Sequence, residues 1–124
     1  MAYRISRERF DSLVEEALQR IPSKYRRRFK NVRILVEDFP SAEDAGRAGV
    51  ARHNLLGLFS GAPYPAHGGF FDIPAPLPDS IILYQKNIET ICNSEDQIIE
   101  EIRLTLVHEV GHYFGMSEEQ LSEY

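Results

Sequence analysis

The residues from Ser94 to Gly115 constrain this chain more than any other stretch. Ile98, Ile99, Ile102, Leu106, Val110 and Tyr113 recur at the three- and four-residue spacing of one apolar stripe along a helix. Ser94-Glu95-Asp96-Gln97 reads as a capping box with acids in the first turn, stabilising that end by about a kilocalorie per mole. At the other end Gly115 supplies a residue that takes positive φ and turns the chain back. A chain of 124 residues is most economically one domain (1–124) with one modest core. A helix of some twenty residues is then its dominant element.

The remaining elements must pack against that helix. Phe10, Leu13, Val14, Ala17, Leu18 and Ile21 form a second apolar stripe, with Ser6 as N-cap and Pro22 as the stop. Arg9 stands where a capping box would want Glu. Val32–Glu37, Leu55–Phe59 and Ser80–Gln85 read as strands. Ser41–Gly49 reads as a loop or a single helical turn, and Asn87–Ile91 as a short helical turn. Five of the seven prolines lie between Pro63 and Pro78, together with Gly68-Gly69, so that region reads as a loop. Strands and helices do not alternate as in a doubly wound sheet. The expectation is an α+β domain: a small mixed sheet of about three strands, an N-terminal helix and a long C-terminal helix.

Composition narrows the function classes. The chain is 43% hydrophobic and 27% charged, with no apolar run near the roughly 18 residues of a membrane span. The opening MAYRISRERF is charged from Arg4 onward and reads as no secretory signal. The lone Cys92 fits a reducing compartment, so a cytoplasmic protein is expected. A net charge of −5 argues against a nucleic-acid binder. The local exception is Lys24 to Lys30, five cations in seven residues with Tyr25 and Phe29 interleaved. Such a run can touch phosphates, but near a helix C-terminus it more simply complements the macrodipole. No nucleic-acid or membrane partner is expected, and the oligomeric state is not legible.

The long helix carries the chemistry. His108-Glu109-Val110-Gly111-His112 is HExxH. Residues four apart on a helix differ by about 40° in azimuth and 6 Å along the axis. Both imidazoles therefore leave one face and can share a zinc ion, with bonds near 2 Å. Glu109, about 100° away, misses the metal but reaches a water held by it, as a general base must. HExxH alone is short and also occurs on helix turns that bind nothing. Here it lies on a strongly amphipathic helix, and Gly111 costs the helix roughly 1 kcal/mol against alanine, which implies a close packing contact. A tetrahedral site with one open position needs a third protein ligand. His53 and His67 lie far off in or near loops, whereas Glu118 follows the Gly115 turn and can swing back. The extended pattern is His-Glu-x-x-His-x-x-Gly-x-x-Glu.

This segment, His108 to Glu118, resembles the active-site helix of the zincin metallopeptidases and is most similar to the small stand-alone bacterial mini-zincins. Leu56 to Pro63 and Pro78 to Tyr84 are similar to that family's segments upstream of the helix. The resemblance implies a minimal zincin-like fold and zinc-dependent hydrolysis of a peptide or protein substrate. The position of Glu118 is usually Asp in that family and His in the related metzincins; Glu119 is the fallback ligand. Metzincins continue to a methionine-containing turn beneath the metal, but here Met116 lies inside the motif and only nine residues follow Gly115. A carboxylate ligand lowers the net charge of the site relative to three histidines and makes the zinc a weaker Lewis acid.

By likeness to zincins, Ser80–Gln85 is the candidate sheet edge for an extended substrate. Tyr64, His67 and Tyr84 are candidate hydrogen-bond donors to a developing oxyanion, and the Pro63–Pro78 loop is a candidate entrance wall. The leading expectation is a zinc metallopeptidase. The alternatives are a zinc-containing binding or regulatory domain on the same scaffold, and a hydrolase of another amide or ester.

Overall fold

The computed structural model describes residues 3–60, 79–122 and 124, with the side chain of Glu118 outside that description. Its longest helix spans Glu95–Tyr113 and is numbered α5 in chain order. Ser94 Oγ accepts from Gln97 N–H at 3.2 Å. Gln97 Oε1 closes the box on Asn93 N–H at 2.6 Å, one residue earlier than the ideal pattern. Ile98, Ile99, Ile102, Leu106, Val107 and Val110 are buried along one face. At the far end Gly115 has φ of 73°. Gly115 N–H then bonds His112 O at 3.0 Å and Met116 N–H bonds Gly111 O at 2.9 Å, the paired bonds of a Schellman motif.

Helix α1, Arg7–Gln19, packs along α5 and buries Phe10, Leu13, Val14 and Ala17. Ser6 caps it as expected, accepting from Arg9 N–H at 3.0 Å. Arg9, which has no capping role, instead grips Glu95 through two bonds of 2.8 and 2.6 Å. That grip ties the N-termini of the two helices together, and it holds the Glu95 carboxyl below its ordinary range.

Among the described residues the sheet is three-stranded and mixed. Strands β1 (Val32–Glu37), β2 (Gly57–Ser60) and β3 (Asp79–Tyr84) lie in the order β1-β3-β2. β1 runs parallel to β3, pairing Val32 with Asp79 through Glu37 with Tyr84. β2 runs antiparallel to β3, pairing Gly57 with Leu83 and Phe59 with Ile81. The expected edge at Ser80–Gln85 is therefore corrected: β3 is the central strand, and among the described residues the edges are β1 and β2. The physical reason is that β3 bonds a strand on each side, and the full burial of Ile81, Leu83 and Tyr84 on its two faces fits that central place. β2 also begins two residues later than the Leu55–Phe59 reading.

Short elements fill the connections. Ser23–Arg26 is helix α2, followed by a 3₁₀ turn at Arg27–Phe29. The aromatics of the basic run face the core: Tyr25 and Phe29 are buried. Arg26 caps carbonyls at the end of α1, and Arg28 lies over the Tyr25 and Phe114 rings. Ala42–Ala48 is a full helix, α3, capped by Ser41 Oγ and closed by Gly49 at φ of 73°. The expected loop or single turn underrated that paired start and stop. α4 is Gln85–Thr90 and α6 is Glu118–Leu121. α4 buries three polar side chains, Gln85, Asn87 and Glu89. Asn87 Nδ2 donates to Arg52 O and Leu55 O at 2.8 and 2.7 Å, pinning the segment that leads into β2. Among the described residues no helix is long and apolar enough to cross a membrane.

Candidate metal centre

The two histidines of the motif occupy the last two turns of α5, on the side away from its buried stripe; His112 is exposed and His108 half-buried. Their ring centroids are 6.2 Å apart. With zinc–nitrogen bonds of 2.0–2.1 Å, two imidazoles on one tetrahedral ion have centroids about 5–6 Å apart, so a small side-chain adjustment suffices. His108 Nδ1 lies 2.8 Å from Leu104 O. A carbonyl only accepts, so Nδ1 carries a proton and Nε2 is the nitrogen that would meet a zinc ion. This is the tautomer a zinc ligand needs, and it is set by a backbone group one helical turn back.

Glu109 is held from the sheet. Phe59 donates its backbone N–H to Glu109 Oε1 at 3.1 Å. β2 can reach the helix because it has a glycine at Gly57: a Cβ there would lie 2.6 Å from Thr105 Cγ2 and 3.1 Å from Ile82 O. Burial pushes the Glu109 carboxyl above its ordinary range, while the Phe59 N–H, His112 and His108 pull the other way. The Phe59 ring stacks on Tyr113, centroids 4.3 Å apart. Tyr113 Oη in turn donates to Asp79 Oδ2 at 3.0 Å. The end of α5 is thereby fastened to both β2 and β3.

Behind the motif, Gly111 proves to be the close contact its position implied. A Cβ at Gly111 would lie 2.1 Å from Leu121 Cδ2 and 2.9 Å from Tyr25 Oη. Leu121 belongs to α6, so Gly111 lets the segment after the Gly115 turn fold back beneath the histidines. Tyr25, fully buried, donates to Val107 O, and burial pushes its hydroxyl up to about 12.

Other expected participants fall elsewhere. Glu118 is the first residue of α6, six residues beyond His112, but its side chain lies outside the described residues. Glu119 is exposed. Tyr64, His67 and the Pro63–Pro78 loop also lie outside them. Tyr84 is a correction: it is fully buried, its hydroxyl pushed up to about 12 by burial, so it does not face a substrate. Among the described residues no group of three His, Cys, Asp or Glu side chains could hold a metal. The donors that are described, one imidazole of fixed tautomer and a second a turn away, fit zinc. A groove of about 310 Å³ runs from His108 and Glu109 between α5 and β2, walled by Leu55, Leu56, Gly57, Leu104 and Thr105.

Phe59, Gly57 and Leu104 were missed as site residues. Only Gly57 left a signal, since a glycine within a strand pattern often marks close approach of another backbone or side chain.

Comparison with known proteins agrees with the α+β fold. A family model described as zincin-like metallopeptidase matches residues 29–124. Among solved structures, a conserved hypothetical protein from Thermo thermophilus is similar, with 28% identity and a TM-score of 0.54 over 89% of this chain and 94% of that one. No curated protein matches.

Proposed function

This chain belongs to the zincin-like metallopeptidase family, and we propose that it hydrolyses peptide bonds with a zinc ion held by His108, His112 and Glu118 and with Glu109 as general base. When bound, zinc lowers the pKa of a coordinated water towards neutrality and polarises the scissile carbonyl. The residues do the rest. The Leu104 carbonyl keeps the His108 lone pair on Nε2. The Phe59 N–H anchors Glu109 Oε1, which leaves Oε2 as the oxygen that takes the proton from the attacking water and returns it to the leaving amine.

The observation that carries this reading is the Phe59–Glu109 bond. A surface glutamate needs no partner from a strand, whereas a general base must be aimed. A substrate would lie along the outer edge of β2, the edge strand beside α5. The antiparallel pairing turns the backbone of Gly57 and Phe59 away from β3. The Phe59 carbonyl then faces an extended chain, and the groove beside Gly57 and Thr105 would take a side chain.

The test is Glu109→Gln. It keeps an oxygen for the Phe59 N–H and is expected to retain zinc while hydrolysis of a broad peptide library falls at least about a hundredfold. Full hydrolysis in a zinc-loaded Glu109→Gln variant would remove Glu109 from the mechanism. A fully metallated wild-type protein that cleaves nothing in the library would instead give a zinc-containing binding domain on this scaffold.

A further inference from the structure

The sheet ends at β1 on the side away from β2, among the described residues, and the pairing tells which backbone groups face outward there. Tyr84 N–H bonds Leu56 O at 3.0 Å. The even-numbered residues of β3 therefore turn their backbone to β2, and Asp79, Ile81 and Leu83 turn theirs to β1. In the parallel register those three bond Arg33, Leu35 and Glu37. Val32, Ile34 and Val36 consequently aim their N–H and C=O groups outward. The bond from Arg7 Nη1 to Val36 O, 3.0 Å, agrees with that assignment.

We propose that this edge pairs with the same edge of a second copy of the chain, antiparallel about a twofold axis at Leu35, joining two three-stranded sheets into one of six. Antiparallel pairing sets outward-facing residues opposite each other. With Leu35 opposite Leu35, Ile34 meets Val36 of the second copy and exchanges both backbone bonds with it, twice over by symmetry. Val36 O has a second lone pair and keeps its bond from Arg7.

The charge pattern selects this register and a second copy as the occupant. Arg33 falls opposite Glu37 of the second copy, and Glu37 opposite its Arg33, at the closely spaced non-hydrogen-bonded positions where cross-strand pairs interact most. Both residues are exposed, and neither holds an ion pair among the described residues. Sliding the strands to set Ile34 opposite Ile34 would face Arg33 with Leu35 and Glu37 with Asn31, losing both pairs. The helix above repeats the pattern. Arg7, Asp11 and Glu15 flank a groove of about 350 Å³ beside Ile34 and Val36. Arg7 lies at the Val36 end, and Glu15 is about 12 Å further along α1. A twofold axis reverses that order and brings Arg7 of one copy towards the acids of the other. A long edge with half-exposed Ile34, Leu35 and Val36 is also the kind of surface a folded chain keeps covered.

Sedimentation velocity on the full chain over about 1 to 100 μM tests this, a range that brackets ordinary homodimer affinities. The expected species at the upper end is two chains. Arg33→Glu and Glu37→Arg each place like charges opposite one another and should weaken association at least about tenfold. The double variant, which swaps the pair, should restore it. A monomer at every concentration overturns the proposal. So does a dimer untouched by Arg33→Glu, or a double variant that stays as weak as the single ones, since either outcome puts a different surface or a different strand in contact.

Discussion

Phe59 donates its backbone N–H to Glu109 Oε1 over 3.1 Å, across fifty positions of sequence. The bond couples the edge of the sheet to the helix that carries the histidines. It also orients a carboxylate whose burial disfavours its charge. A hydrogen bond to a charged group in such a place is worth about 1.5–3 kcal/mol, enough to decide where the carboxylate points.

Removing that N–H should cost activity without costing metal. The Phe59 N–H points away from β3, at an edge of the sheet among the described residues, where proline is tolerated, so Phe59→Pro is expected to fold and bind zinc. Peptide hydrolysis should fall about 10- to 100-fold if the bond is worth its usual energy. Phe59→Ala keeps the N–H but loses the stack on Tyr113, and should fall less. Parallel assays of zinc content and hydrolysis separate the two contributions.

Gly111→Ala should destabilise the fold. The added methyl meets Leu121 and Tyr25, an overpacking cost of about 1–3 kcal/mol, only partly offset by roughly 1 kcal/mol of better helix propensity. Because Leu121 lies on the helix that begins with Glu118, zinc affinity should weaken as well. Urea unfolding of the metal-free protein and a competitive zinc titration measure the two effects.

The turn after the motif makes a separate demand. Gly115 holds φ of 73°, so Gly115→Ala should cost about 1–2 kcal/mol and Gly115→Asn clearly less. The same denaturation experiment ranks the three proteins. Equal stability of wild type and Gly115→Ala would mean that the turn is not held as described.

Stability should fall on the alkaline side. Tyr25 and Tyr84 are pushed up to about 12 from 10.0, and Cys92 to about 11 from 9.0, in each case chiefly by burial. Between those values the unfolded chain has lost protons that the folded chain retains. Stability is therefore fully present below about pH 9 and declines as pH rises towards 11 and 12. Tyr25→Phe removes one contributor to that slope. It also removes the donor to Val107 O, at a cost of about 1–3 kcal/mol near neutrality. Denaturation midpoints against pH for the two proteins check both statements.

What the sequence revealed follows the range of the forces involved. The start and end of α5, the cap of α1 and the shared face of His108 and His112 depend on residues within about one helical turn, so spacing alone found them. The tight contact at Gly111 was legible as a cost without a visible return, although its partners, Tyr25 and Leu121, were not. The order of the strands was beyond reach. Ser80–Gln85 has the composition of a strand wherever it sits, and only the flanking of β3 by both β1 and β2 makes it central. The partner of Glu109 was hidden for the same reason, because a backbone N–H carries no side-chain signature and Phe59 reaches the helix only through sheet register.

The zinc content of the protein purified without chelator tests the central claim most directly. A site built from His108, His112 and Glu118 predicts about one zinc per chain, lost in His108→Ala and His112→Ala variants that remain folded. Far less than one zinc per chain in the wild type, with no uptake when zinc is added, would contradict it.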